Sequence, residues 1–350
     1  MRNYFLLLLL LPVIALSQNS EDAEKKVDEG INLHDQGKFN EALTKYEEAL
    51  ILDKNNLYAL TEKAMTLNAS KKFEEAVSIC KDAFQYHPDK NLKNVYVTYA
   101  NSLDHLKKVD EAIKIYDEGL KKYPSYYQLH FNKGITLANA KKTNEAIISF
   151  QNALQSNPNH SGSYNAIAIL EQENRIVTIL ASSRYLTLDN KSARARANLD
   201  LILKLMEKGV SQKEDKTVTI NIDSNLLENV NNKKGNENDF NSTDLILSMA
   251  TAQDFHDNKD KTACQKFIHK FKSICSSMSE LKKGQKGFYW QFLAPYFIEM
   301  ENKKLIEPFA NIIFLSNQSP DVLKYHEENS QKIQEFYDWS KNYKWVLNTL

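Results

Sequence analysis

The sequence predicts an all-α protein, a solenoid of stacked helix pairs followed by a separate helical domain, and three observations predict it. A ten-residue phrase recurs four times, as EALTKYEEAL at 41–50, EAVSICKDAF at 75–84, EAIKIYDEGL at 111–120 and EAIISFQNAL at 145–154, at spacings of 34, 36 and 34 residues. Glycine is scarce, nine in 350 residues, which disfavours hairpin-rich β folds and glycine-rich phosphate loops. Beyond the phrases, apolar residues keep recurring three and four apart, the period of a helix buried on one side.

The chain opens MRNYFLLLLLLPVIALSQ. Arg2 gives a positive start, Phe5 to Leu16 a short apolar core, and Ala15 and Ser17 the small residues of a cleavage site, so residues 1–17 read as a secretory signal peptide. Position 18 is Gln rather than Cys, which does not support a lipoprotein anchor at this cut. No later run is apolar and long enough to span a bilayer. The expected location is outside the cytoplasm, periplasmic or secreted if the source is bacterial. Lys+Arg and Asp+Glu balance at 45 each, which disfavours nucleic acid and strong capture by an anionic membrane. Of the three cysteines, Cys264 and Cys275 lie 11 residues apart on one predicted helix. That is about 16 Å, beyond disulfide reach. All three read as small buried hydrophobes, with a bridge from Cys80 to another domain left open.

Each repeated phrase has the form small–large–small, with Ala42, Tyr46 and Ala49, then Ala76, Cys80 and Ala83, then Ala112, Tyr116 and Gly119, then Ala146, Phe150 and Ala153. Spacings of four and three place the three on one helix face, where the small residues admit a neighbouring helix and the large one fills the space between. Another small residue, Gly30, Ala64, Ala100 or Gly134, sits twelve residues upstream each time and marks a first helix. Lys54, Pro88, Pro124 and Pro158 follow the second helix, and proline cannot continue it. The third unit starts after a two-residue insertion, Asn91 and Leu92.

A 34-residue helix–turn–helix with this layout resembles the tetratricopeptide repeat. The resemblance covers about 23–160, departs from the family at Lys54, and lacks the usual Trp near the start of each unit. It implies a right-handed superhelical stack. A degenerate fifth unit over 161–190 keeps Ala168, while Ala181 and Tyr185 fit only with a one-residue slip, and it extends the array to 23–190. Residues 191–209 read as a capping helix, with Ser192 as N-cap, Gly209 as stop and Ala195, Leu199, Ile202 and Met206 as its apolar stripe. In this family the first helices line a concave groove. By resemblance the lining falls on Val27, Ile31 and His34, on Tyr58, Thr61, Met65 and Asn68, on Asn94, Val97, Asn101 and His105, on Gln128, Phe131, Ile135 and Asn139, and on Asn165. The places that carry a cation and an Asn in carboxylate-clamping members hold Val27 and Ile31, so no such clamp is expected. The Asn side chains suit an extended peptide backbone, and Tyr58, Met65 and Phe131 suit apolar side chains.

Residues 210–241 read as a linker, polar and Asn-rich at NNKKGNEND (231–239). Inside it TVTINI (217–222) alternates like a strand, with no partner strand evident. From Ser242 a C-terminal domain of four or five helices is expected over 242–350. Cys264, Phe267, Ile268, Phe271, Cys275 and Met278 form one stripe, Pro295 interrupts the aromatic run GFYWQFLAPYFIEM, and Ser319-Pro320 starts a helix before the segment carrying Ile333, Phe336, Tyr337 and Trp339. This part resembles the tails of exported repeat proteins and carries no motif that defines a family. The cluster Phe288, Tyr289, Trp290, Phe292, Tyr296, Phe297 reads as core, against a surface for stacking sugar or peptide. His256, His269 and His326 stand isolated in sequence, no metal-ligand spacing occurs, and no nucleophile, zincin or phosphate-loop motif is present. The sequence therefore predicts a non-enzymatic scaffold without cofactor or metal, binding a protein or peptide in its groove. The alternative is an enzyme or small-ligand module in the C-terminal domain, targeted by the repeats. Self-association through the repeats is a third reading.

Overall fold

The computed structural model describes residues 5–213, 217–221 and 237–347. The signal-peptide reading falls on residues whose side chains are not described. Residues 1–4 are not described, and Phe5–Asp35 is one helix, α1, whose side chains are described from Ser20 onward. Residues 214–216 and 222–236 of the linker also lie outside the described residues. Contacts divide the chain into two compact units, through Ser149 and from Phe150.

The first unit is a run of helix pairs. After α1 come α2 (Phe39–Leu52), α3 (Leu57–Ala69), α4 (Phe73–Tyr86), α5 (Lys93–His105), α6 (Val109–Lys122), α7 (Tyr127–Asn139) and the start of α8 (Thr143–Ser156). Helix α1 packs on α2 and α3, α3 on α4 and α5, and α5 on α6 and α7, so the first helices of successive repeats touch one another directly. The repeated small–large–small residues are the core: Ala42, Tyr46, Ala49, Ala76, Cys80, Ala83, Ala112 and Tyr116 have no exposed surface. The upstream small residue is needed for the same reason. A Cβ on Gly30 would stand 2.4 Å from Cε1 of Tyr46.

Each pair turns the same way. Gly37, Lys71, Lys107 and Lys141 sit at φ of 75°, 64°, 64° and 62°. At each turn the residue in this left-handed conformation donates three residues back and the next donates five back, as in Gly37 N–H to His34 O and Lys38 N–H to Leu33 O. This is a Schellman ending, which favours glycine. Only the first turn has it. Lys71→Gly, Lys107→Gly and Lys141→Gly are each expected to stabilise the first unit by up to about 1 kcal/mol, and Gly37→Lys to cost a similar amount, because left-handed backbone strains residues with a Cβ. Thermal unfolding followed by circular dichroism checks this. Where the interrepeat proline is replaced by Lys54, Asn56 caps the next helix, its side chain accepting from Ala59 N–H at 2.9 Å. The two-residue insertion is absorbed by Leu92, which is buried and donates its backbone N–H to the Tyr123 hydroxyl at 2.8 Å.

The second unit continues with α9 (Ser161–Leu170), α10 (Arg175–Leu188) and α11 (Ala193–Glu207). Helix α10 is its centre, with every residue from Arg175 to Thr187 buried. The stripe Ala195, Leu199, Ile202 and Met206 is buried as patterned, and α11 packs on α10 and also on later helices. Ser192 does not cap through its side chain. Its hydroxyl bonds that of Tyr185 at 2.9 Å. Gly209 stops the helix at φ 79°, where a Cβ would meet Asn221 O at 2.9 Å.

Contrary to the sequence reading, the strand over 217–222 has a partner: β1 (Val210–Gln212) pairs antiparallel with β2 (Val218–Ile220), Val210 opposite Ile220. Three residues are too few to show alternation, which hides β1 in the sequence. Helices α12 (Asn241–His256), α13 (Ala263–Leu281), α14 (Ala294–Asn302), α15 (Ile306–Ile313), α16 (Pro320–Glu328) and α17 (Ser330–Asn342) follow. These are six rather than four or five, and the stretch from Pro320 breaks at Asn329 into two of them. Pro295 does not end the aromatic helix. Tyr289–Leu293 widens into a π-turn, closed by Ala294 N–H bonding Tyr289 O, just before the proline that has no N–H to give. The aromatic cluster is core: Tyr289, Trp290, Phe292, Tyr296 and Phe297 are buried, and Phe267, Phe271, Phe297, Phe309 and Phe336 join ring to ring.

Candidate interaction groove

The expected groove residues separate by what their side chains do. Several are engaged between helices. His34 Nδ1 lies 2.7 Å from the Thr66 hydroxyl, and Asn68 donates to the Ser102 hydroxyl at 2.8 Å. Asn101 accepts from the buried Tyr116 hydroxyl, and His105 stacks on Phe73 at 4.5 Å between ring centroids. Thr66 and Ser102 are buried at matching places in successive first helices, so each side chain bonded to them ties one repeat to the next. Asn165 belongs to the second unit and accepts from Asn198 at 2.9 Å.

Others face outward. Tyr58 is 43% exposed, Met65 37% and Ile135 37%, large apolar surface on first helices. Asn94 and Asn139 are exposed, Asn94 accepting from the Tyr126 hydroxyl, and Val97 and Phe131 are half-buried. Gln128 keeps a buried Oε1 with no partner among the described residues. Val27 is fully buried and Ile31 half-buried, so neither offers a polar group where a carboxylate clamp would need one. Burial, with Asp35 adding to it, holds the Glu62 carboxyl on α3 above the usual carboxylate range.

The second unit contains polar groups that sequence reading missed. His269 is not isolated, because the turn between α12 and α13 folds it back until Nδ1 lies 2.7 Å from Asp254. Lys270 Nζ lies 3.6 Å from the other oxygen of that carboxylate, and burial pushes this amine down, against the pull of Asp254. His326 bonds Asn311 O at 2.9 Å, and His256 sits beside Asp257. Among the described residues no three His, Cys, Asp or Glu converge as a metal site. The three cysteines are free and buried. Burial pushes all three thiols up, Cys264 to about 12. A disulfide reagent at pH 8 is therefore expected to release no colour from the native protein within minutes and three equivalents after denaturation, since the thiolate is the reactive form.

Stacked helix pairs with apolar and amide side chains on their inner helices define a helical-repeat interaction protein. Residues 27–88, 67–132 and 127–160 match family models of the tetratricopeptide repeat, and the chain carries tetratricopeptide repeats over this span. It is similar to Protein STIP1 homolog of Dictyostelium discoideum, 27% identical over 168 residues that cover 39% of this chain and 30% of that protein. The match thus spans under a third of that relative's length. Among solved structures it is similar to PilF of Pseudomonas aeruginosa, with a TM-score of 0.48 and 18% identity over 54% of this chain and 85% of that one. It is also similar to TTC0263, a thermophilic TPR protein in Thermus thermophilus, with a TM-score of 0.43 and 19% identity over 52% of this chain and 96% of that one. Among the described residues no helix is long and apolar enough to cross a membrane.

Proposed function

We propose that the chain is an exported, non-enzymatic scaffold whose repeats hold a segment of a protein partner against their inner helices. The observation that carries this reading is the outward face of the first helices. Tyr58, Met65 and Ile135 expose apolar surface there, with the exposed amides Asn94, whose Oδ1 accepts from the Tyr126 hydroxyl, and Asn139 among them. Such a face suits an extended, largely uncharged segment: the amides meet its backbone and the apolar residues its side chains. With Val27 and Ile31 in the clamp positions, a free carboxyl terminus is not the feature recognised. Export rests on the positive, apolar and small-residue order of residues 1–17, and places the partner in the periplasm or outside the cell.

The test is a crosslinking pull-down from the native envelope fraction with the protein and its Tyr58→Glu/Met65→Glu variant, both confirmed folded. One protein captured by the first and lost by the second supports groove binding. Equal capture moves the binding surface elsewhere. Light scattering on the same preparations separates self-association from a foreign partner.

A further inference from the structure

Helix α10 buries two arginines, and their surroundings differ. Arg175 has a carboxylate, Asp244, at 2.6 Å. Arg184, 1% exposed, has none within ion-pair distance among the described residues. Its Nη1 donates to the hydroxyls of Thr187, Tyr296 and Ser340 at 3.0, 3.1 and 2.9 Å, and Nη2 to Asn159 Oδ1 at 2.7 Å. Its Nε has no partner. The remaining cover is aromatic: the guanidinium lies 4.7 Å from the Tyr296 ring and 5.3 Å from Trp345.

Trp345 is not part of a helix. It follows the end of α17 in the extended stretch 343–347, in which Val346 is 61% and Leu347 53% exposed. Ring contacts hold it: it lies parallel to Tyr296 at 5.2 Å, stacked on Phe292 at 4.7 Å and edge-on to Tyr343 at 4.9 Å. The indole thus supplies a ring to this place and leaves the cation without an anion. A buried cation without a counter-ion is costly, and the unpartnered Nε beside Nη2 leaves Arg184 a donor for a carboxylate oxygen.

We propose that Trp345 plugs a binding site for an aromatic carboxylate, a small acid or the terminal aromatic residue of a peptide. The ligand's ring takes the place of the indole against Tyr296 and Phe292, and its carboxylate pairs with Arg184. This site lies in the second unit and stands apart from the groove reading, so either fails without the other. In the native chain the plug competes, and apparent affinity falls by the fraction of molecules that are open.

Calorimetric titration of the full chain with N-acetylphenylalanine, and with its neutral amide, tests this. The proteins compared are the native chain, Trp345→Ala, a chain ending at Asn342, and Trp345→Ala/Arg184→Lys. Expected is acid binding at least tenfold tighter to Trp345→Ala and to the shortened chain than to the native protein. The acid is also expected to bind at least tenfold tighter than the amide, a preference reduced in the Arg184→Lys background because lysine lacks the two-pronged donor edge. A peptide ending in phenylalanine, run in parallel, separates the two sources of ligand. No binding to either opened protein, equal binding of acid and amide, or equal affinity in native and opened chains overturns the proposal. Unfolding of both opened chains overturns it too, since Trp345 is then a core residue.

Discussion

Replacing Arg175 by alanine is expected to destabilise the second unit by about 3–5 kcal/mol, the cost of leaving a buried ion pair half made. The guanidinium closes several interactions at once. Nε donates to Leu205 O at 2.7 Å and Nη2 to Met206 O at 3.2 Å, satisfying carbonyls at the end of α11. Nη1 donates to Asp244 at 2.6 Å and to Ser248 at 3.0 Å on α12. Alanine leaves the carbonyls and the carboxylate buried without it. Burial already pushes the Asp244 carboxyl up, and Arg175 opposes the push. Without Arg175 the folded pKa rises further above the unfolded one. A group with a raised folded pKa favours the fold while protonated and loses that contribution as pH rises through the folded value. The deficit of Arg175→Ala is therefore smallest in acid and largest near neutrality. Arg175→Met with Asp244→Leu is expected to regain most of the loss, since apolar replacement of both partners removes the unpaired charge. Urea unfolding followed by tryptophan fluorescence reads the second unit selectively, because Trp290, Trp339 and Trp345 all lie in it.

Gly30→Leu is expected to cost the first unit about 1–3 kcal/mol or more by overpacking. Even a Cβ there would lie 2.4, 2.8 and 2.9 Å from Cε1, Cδ1 and Cζ of Tyr46. That ring is fully buried between α1, α2 and α3 and has no surface to retreat to. Gly30→Ala gains up to about 1 kcal/mol of helix propensity and is still expected to destabilise, since the clash involves ring carbons rather than a flexible chain end. Pairing Gly30→Ala with Tyr46→Leu should recover much of its deficit, a coupling that a double-mutant cycle measures. Circular dichroism reads the helices of both units, so a lowered circular-dichroism transition beside an unchanged fluorescence transition locates the damage in the first.

The repeats were legible because each places chemically similar residues at fixed offsets. Small residues appear wherever two helices approach, and a large one wherever they leave space, so packing is written directly into spacing. The stripe of α13 and the Ser319-Pro320 start were legible for the same local reasons. What sequence could not show were pairings across distance. Val210–Gln212 is too short to announce itself as a strand. His269 meets Asp254 only because a helix pair folds them together. Helix α10, RIVTILASSRYLTL, is buried all round, so it has no polar face for a period to reveal. The available signal was two arginines nine residues apart in an otherwise uncharged helix, a pattern that asks what compensates each charge. In the groove, sequence placed residues on the first helices but could not tell which would be spent internally. The bonds of His34 to Thr66 and Asn68 to Ser102 require partners a full repeat away.

The central claim is that the inner helices of the repeats hold the partner. A photo-crosslinking amino acid placed at Met65, on an inner helix, and separately at Ile51, 83% exposed on the second helix of its pair, tests it most directly in the native host. A discrete adduct with one protein is expected from position 65, abolished by Tyr58→Glu, and none of that size from position 51. Adducts from position 51 alone, or the same adduct from both positions irrespective of Tyr58→Glu, would contradict that claim.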